Sequence, residues 1–176
     1  YNPSGKLPMS FPRSVGQIPI YYNYKNTGRP GPAKAVFWSH YNDEVNTPLY
    51  PFGYGLSYTS FKYSDLKIDN KTLSNNNSIN VSVNLENSGE FKGKEVVQLY
   101  IQDKFASVTR PVRELKGFEM VELNPGESKI VSFEIPESLL RFYSANEVWE
   151  SESGFFDIFI GTDSNASLRE SFELIK

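Results

Sequence analysis

Residues 49–64, LYPFGYGLSYTSFKYS, divide the chain into two parts of different character, and we call this stretch the seam. The stretch holds two glycines, Gly53 and Gly55, which allow a sharp turn or a close approach of two backbones. It also holds four tyrosines and two phenylalanines, which bury large apolar areas while the tyrosine hydroxyls still need hydrogen-bond partners. This combination indicates either a junction that fixes one unit against another or simply the start of the core of the unit that follows.

The part that comes first, residues 1–57, is rich in proline and lacks sustained periodicity; we call it the arm. It holds eight of the 11 prolines, and because proline fixes φ and removes a backbone donor, only short extended pieces such as residues 18–22 are expected. An irregular segment of this length is uncommon in a compact domain, yet the arm is too aromatic for a disordered tail. We expect it to pack on the part that follows, on a second chain or on a preceding domain, and to be irregular or mobile without such a partner.

The part that follows, residues 58–176, alternates apolar and polar residues in short runs. The clearest run is 79–86, whose strict alternation is the period-2 pattern of a strand with one buried face. Similar runs predict strands at 61–68 (with a bulge at Ser64 and Asp65), 95–102, 112–123 (broken near Gly117), 129–135, 148–150, 154–160 and 171–175. Regularly spaced short strands with turn signals between them are typical of an all-β, antiparallel β-sandwich of about seven strands.

The connections between these strands carry their own signals. Residues 70–78 are predicted to form a polar loop, and NPGE at 124–127 has the composition of a type I or II turn. PESLLRFY at 136–143 leaves room for a single helical turn with its proline early. Trp149 and Phe133 are predicted anchors of the core.

Composition excludes several classes of function. The formal net charge is −3 and no run of lysine or arginine occurs, which argues against a nucleic-acid partner. No apolar stretch is long enough to span a membrane. There is no cysteine, and Asp103, Asp157 and Asp163 are scattered, so no metal and no other cofactor is predicted.

Candidate catalytic groups lack a recognisable framework. Glycoside hydrolysis needs two carboxylates across a sugar pocket, and the pairs close in sequence are Asp43 with Glu44 and Glu150 with Glu152. Solvated surface charge explains these pairs better than catalysis does. His40, the single histidine, lies near Ser39 and Asp43, but a triad depends on geometry that local order does not supply. No catalytic residue is therefore assigned.

The aromatic side chains of the arm allow two interpretations. Sugar rings stack on aromatic faces, so a group of them could bind carbohydrate: Trp38, Tyr21, Tyr22, Tyr24, Tyr41 and Tyr50. Alternatively, these side chains bury themselves against a partner surface, and their number favours this second interpretation.

Several motifs resemble the C-terminal region of family 3 glycoside hydrolases, most closely bacterial periplasmic β-glucosidases. In the arm and seam they are GKLPMSFPRSVGQIPIYY at 5–22, NTGRP at 26–30 and LYPFGYGLSY at 49–58. Downstream they are VQLYIQD at 97–103, RP at 110–111, ELKGF at 114–118, LNPGE at 123–127 and FIGTDS at 159–164. The resemblance extends over nearly the whole chain and is weakest at 31–45 and 70–78.

The resemblance implies a two-part chain. Residues 1–57 would be the tail of an α/β sandwich domain with its linker, and residues 58–176 an immunoglobulin-like, fibronectin type III-like domain. Neither catalytic motif of the family is present, so the chain itself is expected to be non-catalytic, while a complete protein would be a periplasmic or secreted β-glucosidase or β-xylosidase.

The resemblance also implies partners. The expected ones are the catalytic barrel and the α/β domain of the same protein, and a homodimer is a further expectation. Oligosaccharide substrate would belong to the complete protein only. Contacts with a sugar or with a neighbouring domain are predicted for Trp38, Tyr41, Tyr50, Tyr54 and Tyr58.

Overall fold

A computed structural model describes residues 1–26, 28 and 37–176, and within them the protein is built almost entirely of β-strands. The described part contains ten strands: β1 Phe61–Ile68, β2 Thr72–Ser74, β3 Ser78–Asn87, β4 Gly93–Asp103, β5 Glu114–Leu123, β6 Ser128–Pro136, β7 Phe142–Tyr143, β8 Trp149–Glu150, β9 Gly154–Gly161 and β10 Leu168–Ile175. Two short 3-10 turns, Val15–Gln17 and Glu137–Leu140, are its helical elements. The predicted all-β sandwich is confirmed.

The strands form two main sheets. One has the order β1-β3-β6, and the other has the order β2-β10-β9-β4-β5. Neighbouring strands run antiparallel except β2 and β10, which pair in parallel. Strands β7 and β8 form a separate two-stranded ribbon.

The main core lies between the two sheets. Strand β3 shows how the sequence makes it: Ile79, Val81, Val83 and Leu85 are buried while the residues between them are more exposed. They pack against the inner faces of β4, β9 and β10. Burying each such side chain contributes about 1.5–3 kcal/mol to stability, so the alternating pattern accounts for the two-layer arrangement.

Turn chemistry follows the sequence closely. The pairing of β1 with β3 shifts between Ser64 and Lys67, with Asp65 at a φ of 54°, which confirms the predicted bulge. In the predicted turn, the Glu127 N–H donates to the Asn124 carbonyl at 3.0 Å, and Gly126 has a φ of 76°, as the third position of a type II turn requires.

One segment differs from the prediction of a polar loop at 70–78. Thr72–Ser74 forms β2 and inserts Leu73 into the core. The strand is held by parallel pairing with β10, and the Glu173 N–H also donates to the Lys71 carbonyl at 2.9 Å. The burial of a single leucine therefore outweighs its polar surroundings.

The prediction that Trp149 anchors the core is also wrong, because this side chain is 67% exposed. It lies in the β7–β8 ribbon and pairs with Tyr143, so neither main sheet covers it. Phe133 is half-buried and packs against the edge of the core. Phe156 and Phe172, stacked with ring centroids 5.3 Å apart, are the large aromatic side chains at its centre.

The arm packs against the sandwich, which is one of the three arrangements expected from the sequence. Its own backbone pairing joins residues 7–11 to residues 49–54, for example Phe11 N–H to the Tyr50 carbonyl at 2.8 Å. A bridge between Lys25 and Pro111 ties it to the segment before β5. Residues 18–22 form no strand. Part of the NTGRP motif at 26–30 lies outside the described residues.

Candidate functional site

The arm packs on part of the outer face of the five-stranded sheet. The residues that join the two form what we call the junction. A second apolar cluster is buried there, made by Tyr100, Phe159, Ala166 and Leu115 of the sandwich with Tyr22 and Phe52 of the arm. The rings of Tyr22 and Phe52 stack with centroids 4.3 Å apart. The Leu115 N–H donates to the Tyr22 hydroxyl at 3.2 Å. Around Tyr100 and Phe159 the sheet is thus buried on both faces, by the second sheet on one side and by the arm on the other.

A buried glutamine at the middle of β4 links the arm to the sandwich. Gln98 Nε2 donates to the Gly53 carbonyl at 3.1 Å and to the Thr162 carbonyl at 2.5 Å, and its Oε1 accepts from the Tyr100 hydroxyl at 2.5 Å. Gly53 has a φ of 80°, and a Cβ atom at this position would collide with the Gln98 amide. Only glycine meets both the conformation and the space.

A buried ion pair forms a second link. Lys6 Nζ lies 3.2 Å from both carboxylate oxygens of Glu95 and donates to Thr162 Oγ1 at 2.6 Å. The Tyr63 hydroxyl donates to Glu95 Oε1 at 2.8 Å. Burial, followed by the Glu95 charge, raises the pKa of Tyr63 far above its ordinary value, so Tyr63 stays protonated and remains a donor. The carboxylate is therefore satisfied by the arm and by β1 together.

The N-terminal residues of the arm hold residues 53–58 in place. Asn2 Oδ1 accepts from the Tyr58 N–H at 2.9 Å and from Ser57 Oγ at 3.0 Å, while its Nδ2 donates to the Lys92 carbonyl at 3.1 Å. A Cβ atom on Gly55 would collide with the Gly5 carbonyl. The seam is thus fastened both to the sandwich and to the beginning of the arm.

The arm also carries many apolar side chains that are exposed to solvent. Those of residues 1–57 include Met9, Phe11, Val15, Ile18, Tyr21, Tyr24, Tyr41, Val45, Leu49, Tyr50 and Leu56. Exposed apolar residues in such number on one segment are typical of an interaction surface. We call this set the arm face.

Three of the five aromatic residues predicted to contact a sugar or a neighbouring domain lie in stacked pairs. Trp38 stacks on His40 with ring centroids 4.2 Å apart, and Tyr50 stacks on Tyr54 at 5.0 Å. Tyr41 and Tyr58 are exposed. The His40 imidazole therefore already covers one face of Trp38. Its Nδ1 atom lies 2.8 Å from the Trp38 carbonyl oxygen.

The carboxylates considered for catalysis take part in local contacts. Glu150 Oε1 accepts hydrogen bonds from Ser144 and Asn146. Both hydrogen bonds lower the pKa of Glu150, and the one from Ser144 has the larger effect. Glu152 accepts hydrogen bonds from Ser107. Asp43 is exposed and Glu44 lies 3.8 Å from Arg13.

The acidic residues of the described ranges do not form a metal site: no cluster of three or more histidine, cysteine, aspartate or glutamate side chains occurs there. The buried Asp157 lies 2.9 Å from Lys104 and 3.0 Å from Arg169, so two cations offset its charge. The same described ranges contain no helix that combines the length and hydropathy needed to cross a bilayer.

Sequence reasoning missed the polar half of the junction. Lys6, Tyr63, Glu95 and Gln98 were not predicted to have a role. The signal was present in EVVQLYIQ at 95–102, where a glutamate and a glutamine stand within a strand that is apolar on both faces. Polar side chains in such a strand need buried partners.

Two protein families match this chain. Glycosyl hydrolase family 3 C-terminal domain matches residues 1–58, and Fibronectin type III-like domain matches residues 95–164. The periplasmic beta-glucosidase of Salmonella typhimurium is 51% identical, over 99% of this chain and 23% of that protein. A beta-xylosidase of Formosa agariphila is 44% identical, over 94% of this chain and 22% of that protein.

A solved structure shows the same architecture. The beta-glucosidase from Listeria innocua in complex with glucose superposes with a TM-score of 0.91 at 44% identity, covering 99% of this chain and 25% of that chain. The present chain therefore spans about a quarter of the length of the proteins that it matches.

Fold and junction together define a fibronectin type III-like β-sandwich carrying an arm of the family 3 C-terminal type. The chain belongs to glycoside hydrolase family 3 and corresponds to the C-terminal region of its members. The resemblance noted in the sequence is thereby confirmed.

Proposed function

We propose that this chain is the non-catalytic C-terminal part of a larger family 3 β-glucosidase. Arm and sandwich act as one rigid unit, and the preceding domains pack on the arm face. The observation that carries this proposal is that the arm is fixed to the sandwich through the Gln98–Gly53 and Lys6–Glu95 contacts, while many of its other apolar side chains remain exposed.

The relatives support a reaction class for the complete protein. Those matched are a beta-glucosidase from the periplasm and a beta-xylosidase. We infer that the complete protein releases terminal β-D-glucosyl residues from oligosaccharides, with β-xylosides as the second candidate, in the periplasm or outside the cell. A homodimer belongs to the same proposal.

Within this proposal the arm ends at residue 57 and the sandwich domain begins at residue 58. The side chains of Trp38, Tyr41, Tyr50, Tyr54 and Tyr58 are assigned to contacts between domains. Stacking on sugar is the weaker assignment, because His40 already covers one face of Trp38.

Hydrolysis and binding assays test the proposal. The 176-residue chain should give no turnover of p-nitrophenyl β-glucoside or β-xyloside, whereas the complete gene product should hydrolyse at least one of them. Calorimetric titration of the chain with cellobiose should give no saturable heat. Turnover by the chain alone, or binding heat that disappears in Trp38→Ala, would contradict the assignment.

A variant of the junction tests the bracing role in the complete protein. Lys6→Met should lower the temperature of half-inactivation by several degrees while KM stays unchanged, because the proposal gives Lys6 a structural role and no contact with substrate. Lys71→Met, which removes an exposed pair with Glu170, is the matched control and should leave that temperature unchanged.

A further inference from the structure

An apolar patch lies on the outer face of the sandwich beside the arm. Phe118 and Met120 of β5 are 70% and 56% exposed, and Val96 of β4 is partly exposed. Val96 pairs directly with Met120, and Phe118 pairs directly with Gln98. Because directly opposed residues of antiparallel strands share a face, all of these lie on the face that the arm covers. We call Val96, Phe118 and Met120 the sheet patch.

The sheet patch lies directly beside the part of the outer face that the arm covers. Gln98, the cross-strand partner of Phe118, is covered by Gly53 of the arm. At the far side of the patch, the ion pair between Lys92 and Glu122 at 3.0 Å forms a polar border. An apolar centre with a polar rim is the usual composition of a protein interface, and exposed aromatic side chains contribute strongly to such interfaces.

We propose that the sheet patch is a second docking surface, on which the preceding domains of the same polypeptide pack directly against the sandwich. This rests on the proposed function and extends it from the arm to β4 and β5. Two observations select this occupant. The patch is continuous with the junction at Gln98. The matched relatives are about four times as long as this chain, so a complete protein would contain further domains large enough to cover the patch.

The two methionines of the chain, Met9 and Met120, allow a direct test. Met9 belongs to the arm face and is 57% exposed, against 56% for Met120. Hydrogen peroxide converts an accessible methionine to its sulfoxide, so oxidation rates followed by mass spectrometry report the two surfaces separately. In the 176-residue chain the two rates should agree within about twofold, because exposure governs this reaction.

In the complete gene product, both rates should fall by about tenfold or more, because packed interfaces exclude solvent. If Met9 becomes protected while Met120 keeps its rate, the sheet-patch proposal is overturned and the proposed function stands. If neither is protected, both fail. Slow oxidation of Met120 in the isolated chain that depends on protein concentration would assign the patch to a second copy and likewise overturn the proposal.

A pair of variants sharpens the result. Phe118→Ser in the complete protein should raise the oxidation rate of Met120 at least threefold, since a central aromatic contact is lost. Ile130→Ser is the matched control, because Ile130 is 68% exposed on β6 in the opposite sheet. Equal effects of the two variants on Met120 would overturn the proposal.

Discussion

The Gly53 carbonyl accepts a hydrogen bond from the buried Gln98 amide at 3.1 Å, so the arm is attached through a residue of β4, an interior strand of the five-stranded sheet. The same amide is held at its oxygen by the Tyr100 hydroxyl. Because the amide is satisfied at both ends inside the protein, moving the arm would leave buried polar groups without partners. Each such group costs about 1–3 kcal/mol, which explains how an irregular segment is held in one place.

The first prediction concerns Gly53. We expect Gly53→Ala to lower the free energy of unfolding by about 3 kcal/mol, because the substitution adds a collision with the Gln98 amide to the cost of a positive φ. Urea unfolding followed by tryptophan fluorescence measures this change.

The matched control for Gly53 is Gly126, which has a similar φ of 76° but nothing near its missing Cβ. Gly126→Ala should cost only about 1 kcal/mol, the cost of the backbone conformation alone. If the two substitutions were equally destabilising, the close packing of Gly53 on Gln98 would have no energetic role.

The second prediction concerns the Lys6–Glu95 pair. Lys6→Met should destabilise the chain by about 3 kcal/mol, because it leaves the Glu95 carboxylate buried without its cation. Lys6→Met combined with Glu95→Gln should recover part of the loss, since the remaining amide is neutral and still accepts from Tyr63. Thermal unfolding of the single and double variants gives the comparison, and a double variant less stable than Lys6→Met would contradict it.

The third prediction concerns the pH dependence of stability through Asp103. Burial raises the pKa of Asp103 to about 6, although the Arg110 charge opposes the rise. The folded state then holds a proton more tightly than the unfolded state between about pH 4 and pH 6, so this group makes the free energy of unfolding fall as pH rises through that window. Above about pH 6 the cost is constant, and below about pH 4 it is absent.

Asp103→Asn removes this cost. The free energy of unfolding of the variant minus that of the unmodified chain should be near zero at pH 4 and reach about 1 kcal/mol at pH 7, discounted for partial solvent access to the carboxylate. Asp69→Asn should show the opposite sign at pH 7, because hydrogen bonds from Asn80 lower the pKa of Asp69. A flat difference curve for Asp103→Asn would contradict the assignment.

These contacts show which features a sequence can and cannot reveal. Strand β3 was predictable because period-2 alternation is local and fixes which face is buried. Strand β2 was not, because Leu73 stands alone among polar residues and its burial depends on pairing with β10. The junction was harder still, since Lys6 and Glu95 are 89 residues apart and no local pattern pairs them.

The aromatic residues divide in the same way. Two interpretations of residues 49–64 were open: a junction between units, or the start of the following core. Phe52 packs in the second cluster between arm and sandwich, whereas Phe61 and Tyr63 pack against the main core. Hydrophobicity and size alone suggested Trp149 as a core anchor, but the ribbon that carries it lies outside both main sheets. The burial of Trp149 therefore depended on which strand β8 pairs with, and amino-acid composition does not specify that pairing.

The fourth prediction follows from that correction and compares two aromatic side chains. Trp149→Ala should change the free energy of unfolding by less than about 1 kcal/mol, because truncating an exposed side chain removes few buried contacts. Phe156→Ala should lower it by about 3–5 kcal/mol, since the deletion opens a cavity against Phe172 in the main core. Urea unfolding followed by far-ultraviolet circular dichroism suits both variants, because one of them lacks a tryptophan. A larger loss for Trp149→Ala than for Phe156→Ala would restore the tryptophan as the anchor and require a different arrangement of the β7–β8 ribbon.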